Sequence, residues 1–149
     1  MKQTSLFSDK PAHGRFEIVA NIDGGARGNP GPAAYGVVIC DSQGNVLAEL
    51  SEYLGLQTNN FAEYSGLLAA LEYAARAQYQ SIKIYSDSEL LVRQMQGAYK
   101  VNSPGLKPLF DQAKLLVQKF HLFSIEHVLR EKNKEADRLV NQVLDSRMR

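Results

Sequence analysis

The sequence has little of what specifies a disulfide scaffold or a membrane protein. Its 149 residues include one cysteine, Cys40, and no tryptophan. A lone cysteine excludes an internal disulfide, and its place in an apolar predicted strand indicates a small core residue of a protein from a reducing compartment. No apolar run has the length of a membrane span, and the first residues lack the hydrophobic region of a secretory signal. We therefore expect a cytoplasmic protein with no membrane partner.

The sequence also lacks a strong net charge. Lysine and arginine number 17 against 16 aspartate and glutamate residues, so the formal net charge is +1. Composition alone therefore gives no indication of a nucleic-acid partner. With 44% hydrophobic and 22% charged residues, the chain has the composition of a globular domain. Residues 1–14 are polar and without periodicity, so we expect a flexible tail there and one domain over residues 15–149.

Apolar periodicity predicts an α/β fold. Three closely spaced strands with tight turns indicate an antiparallel meander, and helical spacing of apolar residues then alternates with two shorter strands. The predicted strands cover residues 15–23, 35–40, 46–56, 81–86 and 122–128. Helices are predicted over residues 60–76, over 106–120 and from 133 onward, and a short helix is predicted to follow residues 87–88 and to end near residue 97. This order predicts a mixed sheet with helices packed on it.

The glycine-rich segment of residues 21–31 combines an acidic side chain with unusual backbone freedom. It reads Asn-Ile-Asp-Gly-Gly-Ala-Arg-Gly-Asn-Pro-Gly, and the first predicted strand ends in it at Asp23. Glycine permits positive φ angles and a close approach of another backbone. A carboxylate beside such a loop suits a metal ion next to a phosphodiester. A hairpin turn with an exposed aspartate explains the segment equally well.

Three further carboxylates occupy comparable positions. Glu63 is predicted in the first turn of the long helix, Asp87 after the fourth strand and Asp137 in the first turn of the last helix. Ligands of α/β sheets gather beyond the carboxyl ends of the strands, so the four carboxylates are expected to converge. Each also has an ordinary explanation, because acidic residues favour helix N-termini and caps. A cluster of four requires cations, and oxygen ligands select Mg²⁺ or Mn²⁺.

The motifs around these carboxylates resemble those of type 1 ribonucleases H. They occur in order at residues 23–31, at 58–64 (Thr-Asn-Asn-Phe-Ala-Glu-Tyr), at 86–88 (Ser-Asp-Ser) and at 133–137 (Asn-Lys-Glu-Ala-Asp), and the resemblance covers about residues 15–146. It implies a ribonuclease H-like α/β fold, whose five-stranded mixed sheet has three antiparallel and two parallel strands and helices on both faces. It also implies a monomeric endonuclease that cleaves the RNA strand of RNA/DNA hybrids and leaves 5′-phosphate and 3′-hydroxyl ends. The resemblance makes four residues both catalytic and ligands of two Mg²⁺ ions, with Mn²⁺ as a substitute: Asp23, Glu63, Asp87 and Asp137.

Eight residues are implied by the resemblance to contact the substrate. Recognition of the RNA strand requires groups that reach the 2′-hydroxyl. Backbone and side-chain groups facing that strand are expected at Gly24, Gly25, Gly28 and Asn29. Contacts to the minor groove or to a DNA phosphate are expected at Thr58, Asn59, Asn60 and Asn102. The residues from 58 to 60 also suit a helix cap, and Asn102 also suits an ordinary turn.

The sequence departs from many relatives in three places. The segment after the short helix, residues 96–105, is short and holds one lysine where relatives carry a basic insertion, so we expect salt-sensitive hybrid binding. Glu89 stands where glutamine is frequent, and it either repels phosphate or faces solvent. The mobile histidine of relatives has no clear equivalent, because His127 is predicted to belong to a strand. Arg130 is therefore our candidate for an electrostatic role at the metal site.

A short motif in the tail resembles the peptide by which bacterial replication proteins bind the sliding clamp. Its anchors are Gln3, Leu6 and Phe7, and a solvated tail without a partner is the alternative. Two other functions are compatible with the fold. A nuclease of the same superfold that cuts DNA is disfavoured by Asn59, Asn60 and the Gly-Asn-Pro motif. A non-catalytic hybrid-binding module is disfavoured by four intact carboxylates, which would hinder binding.

Overall fold

The computed structural model describes residues 15–147. Its strands are β1 (Ile18–Ala26), β2 (Gly31–Asp41), β3 (Val46–Gln57), β4 (Ser81–Ser86) and β5 (Leu122–His127). Its helices are α1 (Asn59–Arg76), α2 (Glu89–Met95), α3 (Lys107–Val117) and α4 (Lys134–Arg147), and a 3₁₀ turn (Arg130–Lys132) precedes α4. The expected tail and the clamp-like motif of Gln3, Leu6 and Phe7 lie outside the described residues. Between residues 15 and 147, no helix combines the length and apolar character needed to cross a membrane.

The five strands form one mixed sheet in the order β3-β2-β1-β4-β5. β1 pairs antiparallel with β2, and β2 pairs antiparallel with β3. β4 pairs in parallel with β1 on one side and with β5 on the other. The predicted sheet of three antiparallel and two parallel strands is therefore confirmed. β1 is its central strand.

One face of the sheet carries the main core. Side chains alternate along β1, so Ile18, Ala20 and Ile22 share this face, and all three are fully buried. They pack against Leu67 and Leu71 of α1, in a cluster that α2 and α3 extend. The apolar spacing that predicted the long helix is the spacing of this buried face.

The other face of the meander is covered by α4. Val140 and Leu144 of α4 pack on Ala34 of β2 in a second, smaller cluster. Gly36 permits this approach, because a Cβ atom there would lie 2.8 Å from the Cβ of Leu139. Helices therefore cover both faces, as predicted.

The first two strands depart most from the predicted boundaries. The expected end of the first strand at Asp23 was wrong, because residues 24–26 continue the antiparallel pairing with residues 33–35 of β2. β2 likewise begins at Gly31, whereas the prediction began at residue 35. The glycine-rich segment is therefore mostly strand, and only residues 27–30 connect β1 to β2.

We expect Gly24→Ala to destabilise the fold. A Cβ atom at this position would overlap the Ala62 carbonyl and lie 2.5 Å from the Glu63 nitrogen, so α1 would have to move away from β1. We expect a loss of about 3 kcal/mol in the free energy of unfolding, measured by urea denaturation. Gly25→Ala is the matched control, since its Cβ would meet nothing closer than 3.9 Å and the loss should stay below about 1 kcal/mol. Equal losses in the two variants would contradict this account of the contact.

Candidate active site

Two aspartates follow the point where the parallel pairing of β1 and β4 stops. The last pair is Ile22 with Ser86. Asp23 and Asp87 are the residues that follow this pair, so they lie at the same edge of the sheet. β1 continues beyond Asp23 only by its pairing with β2. This edge lies at the carboxyl ends of parallel strands, where α/β sheets bind their ligands.

Glu63 reaches the same place from α1. The helix begins at Asn59, so Glu63 lies in its second turn, and the predicted position in the first turn was wrong by one residue. Because Gly24 has no side chain, α1 contacts β1 backbone to backbone beside Glu63. One carboxylate oxygen from each of Asp23, Glu63 and Asp87 lies within 4.8 Å of the other two.

The fourth carboxylate, Asp137, lies in the first turn of α4, as predicted. Its side chain lies against that of Asp23. Together with Asp23 and Glu63 it lines a cavity of about 380 Å³. The structure therefore brings all four predicted carboxylates into one place, as a close trio with Asp137 beside it.

A buried amide fixes the start of α4 against β1. Asn133 is 1% exposed, and its Nδ2 atom donates to the Ile22 carbonyl at 2.8 Å. Its Oδ1 atom accepts from Asn21 Nδ2 at 2.9 Å. Asn133 precedes α4 and its carbonyl accepts from the Asp137 nitrogen at 3.2 Å, while its side chain faces the sheet and not the helix. The sequence held a signal for this contact, since Asn21 is a polar residue between the apolar Ala20 and Ile22 of β1.

Burial and mutual repulsion raise the pKa of two of these carboxyl groups. Removal from water is the largest cause, and together with the charges of Asp87 and Asp137 it raises the pKa of Asp23 from its usual 3.8 to about 8. Burial, with the charges of Asp23 and Asp87, raises the pKa of Glu63 well above its usual value. The Arg130 charge acts on Glu63 in the opposite direction.

The cluster has the properties of a divalent metal site. Within the described part of the chain, Glu63 Oε1 and Asp87 Oδ2 are buried and have no hydrogen-bond partner. Buried polar atoms are rarely left in this state. A cation between the carboxylates would satisfy both oxygens and offset their repulsion, and carboxylate oxygens are typical ligands of Mg²⁺ and Mn²⁺. The residues present therefore fit such an ion.

The turn between β1 and β2 is tied to the start of α1 by two asparagines. Asn59 Oδ1 accepts from the Ala26 nitrogen at 2.8 Å, and the Asn59 nitrogen donates to Asn29 Oδ1 at 2.9 Å. Thr58 caps α1, accepting from the Phe61 nitrogen at 3.1 Å. The predicted cap is confirmed.

The remaining candidates for substrate contact divide into two groups. Gly24 and Gly25 line the cavity of the carboxylates, as does Asn59, and Gly28 and Asn60 lie in the adjoining turn and helix start. Asn102 lies elsewhere, in a loop that lines a separate cavity of about 340 Å³. The structure thus does not bring Asn102 to the carboxylates.

Arg130 and His127 occupy different surroundings. Arg130 begins the 3₁₀ turn and lines the cavity of the carboxylates. His127 is the last residue of β5, opposite Ser86, so its predicted place in a strand is confirmed. Glu89 is exposed and forms an ion pair with Arg93 at 3.3 Å, which agrees with a position facing solvent.

Comparison with known proteins agrees with this geometry. A family model described as reverse transcriptase-like matches residues 21–143. Ribonuclease HI of Halobacterium salinarum is 44% identical over 128 residues, or 86% of this chain and 64% of that protein. The crystal structure of RNase H1 from the same archaeon has a TM-score of 0.83 at 43% identity and covers 87% of this chain and 98% of that one. The chain belongs to the ribonuclease H family.

Two further ribonuclease H structures are similarly close. The N-terminal RNase H domain of Rv2228c from Mycobacterium tuberculosis has a TM-score of 0.85 at 42% identity, with 88% of this chain and 95% of that chain covered. LC11-RNase H1, isolated from compost and solved with an RNA/DNA hybrid, has a TM-score of 0.84 at 44% identity, with coverages of 89% and 99%. This chain spans 36% of the length of the full Rv2228c protein.

The raised pKa of Asp23 makes the stability of the metal-free ribonuclease H domain depend on pH. A carboxyl group with a raised folded pKa stabilises fully below its unfolded value near 3.8, and this contribution is lost as the pH rises through about 8. Asp23→Asn removes the titration. We therefore expect this variant to exceed the wild type by about 2 kcal/mol or more at pH 8, and to match it at pH 4, in thermal denaturation with a chelator.

The control for this measurement is Glu135→Gln, which changes an exposed carboxylate in the first turn of α4. Its stability should follow that of the wild type within about 0.5 kcal/mol at both pH values. If Asp23→Asn and the wild type unfolded at the same temperature at pH 8, the repulsive cluster would not exist in solution.

Proposed function

We propose that this chain is an endoribonuclease that hydrolyses the RNA strand of RNA/DNA hybrids with two Mg²⁺ ions, leaving 5′-phosphate and 3′-hydroxyl ends. The observation that carries the proposal is the pair of buried oxygens without partners, Glu63 Oε1 and Asp87 Oδ2, within a cluster of carboxylates. Such a cluster repels a polyanion unless cations are bound, so it favours catalysis over simple binding. One chain supplies all four carboxylates, and a monomer is therefore the proposed active unit.

The four carboxylates would hold the ions: Asp23, Glu63, Asp87 and Asp137. Two bound divalent ions supply a water of lowered pKa and neutralise charge on the phosphate oxygens, and Mn²⁺ is expected to replace Mg²⁺. In the hydrolysis, the water oxygen forms a bond to phosphorus and the bond from phosphorus to the 3′ oxygen breaks. The proton lost by water ends on that 3′ oxygen, while the phosphate stays on the 5′ side of the next nucleotide.

Substrate choice is assigned to the elements that surround the cavity. Thr58 accepts a hydrogen bond at the start of α1 and keeps its hydroxyl hydrogen for a DNA phosphate, which the helix N-terminus also attracts. Gly24, Gly25 and the turn with Gly28 and Asn29 bring backbone groups towards the 2′-hydroxyls of the RNA strand. The complex of LC11-RNase H1 with a hybrid supports this choice of substrate.

We expect Asp23→Asn and Asp137→Asn each to lower kcat on an RNA/DNA hybrid by about 1,000-fold or more, because each removes a charged ligand. Cleavage is measured with labelled hybrid, duplex RNA and duplex DNA, each with Mg²⁺ and with a chelator. The wild type should cut the RNA strand of the hybrid and leave duplex DNA intact. Glu135→Gln, which lies two residues before Asp137, is the matched control and should retain wild-type turnover.

Two results would overturn this proposal. Cleavage of duplex DNA at the rate found for the hybrid would instead indicate a DNA nuclease of the same fold. Tight hybrid binding without any cleavage in Mg²⁺ or Mn²⁺ would indicate a non-catalytic binding module.

We expect Arg130→Ala to lower kcat by about 10- to 100-fold. The Arg130 charge lies close enough to favour the ionised form of Glu63, and its side chain lines the cavity where phosphate would enter. Arg130→Lys should restore part of the loss because it keeps the charge. His127→Ala is the control, because His127 ends β5, and steady-state kinetics should show less than a twofold change. The reverse pattern would assign the role to His127.

A further inference from the structure

A line of polar side chains runs along α4 from the metal site. Asp137, Asn141 and Asp145 are spaced by four residues, so they share one face of the helix. Asn141 Nδ2 donates to the Asp137 carbonyl at 3.2 Å and to the carboxylate oxygen Asp137 Oδ2 at 3.3 Å. The amide of Asn141 therefore contacts the carboxylate of Asp137 directly.

Arg27 crosses this face from the turn between β1 and β2. Its Nη2 atom lies 2.7 Å from Asp145 Oδ1 and donates to Asn141 Oδ1 at 3.2 Å. A side-chain amide has one accepting end and one donating end. Because Arg27 occupies the accepting end of Asn141, the donating end is directed at Asp137.

This arrangement opposes rotation of the Asp137 side chain away from the site. Asp137 lies against Asp23, and two neighbouring carboxylates repel each other. A half-exposed side chain relieves that repulsion by rotating towards solvent, unless a donor holds it. Asn141 supplies the donor, and Arg27 keeps Asn141 in the orientation that this requires.

The contacts contribute little to stability by themselves. The side chains of Arg27 and Asp145 are 35% and 65% exposed, and ion pairs with that exposure are screened by water. Arg27 also lines the cavity of the carboxylates. Its small contribution to stability does not explain this position, which suggests a role at the site.

We propose that Arg27 and Asn141 are positioning residues that hold Asp137 in the orientation for metal binding. The turn between β1 and β2 and the ligand on α4 thereby form one connected unit. This inference rests on the proposed role of Asp137 as a metal ligand.

The test measures metal binding apart from turnover. Mg²⁺ is titrated by calorimetry into the protein without nucleic acid, so that no cleavage accompanies binding. Asn141→Ala should weaken Mg²⁺ binding by about 10-fold, as loss of a partner of a metal ligand does, and Arg27→Ala should weaken it less. On cleavable hybrid, Asn141→Ala should lower kcat at fixed Mg²⁺ while KM for the hybrid stays unchanged. Arg27→Lys should restore part of the loss.

A double-mutant cycle separates positioning from a general structural effect. In the Asp137→Asn background, Asn141→Ala should cause no further loss of Mg²⁺ affinity, because the carboxylate that it orients is gone. Gln142→Ala, an exposed neighbour on α4, is the control and should match the wild type in both measurements. The thermal midpoints of Asn141→Ala and Gln142→Ala should lie within about 4 °C of that of the wild type.

The outcomes distinguish the inference from the function on which it rests. If Asn141→Ala lost the same factor with and without Asp137, or left Mg²⁺ affinity unchanged, the positioning role would be disproved while the nuclease proposal stood. If Asp137→Asn itself bound Mg²⁺ as the wild type does, the assignment of Asp137 as a ligand would fail, and the inference would fail with it.

Discussion

The structure depends on keeping carboxylates close together and away from water. Asp23 is 6% exposed, and a carboxylate oxygen of it lies within 4.8 Å of oxygens from Glu63 and Asp87. Burial and repulsion both disfavour the ionised forms, as the raised pKa values of Asp23 and Glu63 record. A fold tolerates such a cluster only where its framework is rigid enough to resist separation of the charges. Bound cations would relieve the stored repulsion, so the same strain would favour the metal binding proposed above.

Two contacts supply that rigidity, and both involve the backbone of β1. At Gly24, α1 lies directly on the strand, which fixes the height of Glu63 above the sheet. At Ile22, the buried amide of Asn133 bonds the strand carbonyl and so fixes the start of α4, with Asp137 one turn later. Contacts to the β1 backbone on either side of Asp23 thus position the elements that carry the carboxylates. The side chains therefore converge without large changes of their own.

The sequence predicted the sheet, the helices and the convergence of the carboxylates, because each rests on periodicity or on the order of motifs. It failed where tertiary pairing overrides local signals. The glycines after Asp23 indicated a loop, yet their pairing with β2 keeps them in the strand. The motif at residues 133–137 gave no sign that the Asn133 side chain lies in the core, where it bonds Asn21 and the strand carbonyl. Neither the orientation of Arg27 nor its contact with Asn141 follows from any sequence pattern, since exposed polar side chains can bond to many different partners or to water.

The turn of residues 27–30 is fixed by contacts with a helix on each side. Asn29 and Asn59 tie it to α1, and Arg27 ties it to α4, which are the two helices that carry Glu63 and Asp137. A turn held in this way has little freedom to move, so in the proposed function an RNA strand in contact with it would be positioned relative to the carboxylates. The segment after α2 is short and offers little basic surface for an outer contact. In the proposed function, the scissile bond would therefore be selected by accurate positioning of the RNA at the turn, more than by strong binding to a distant basic surface.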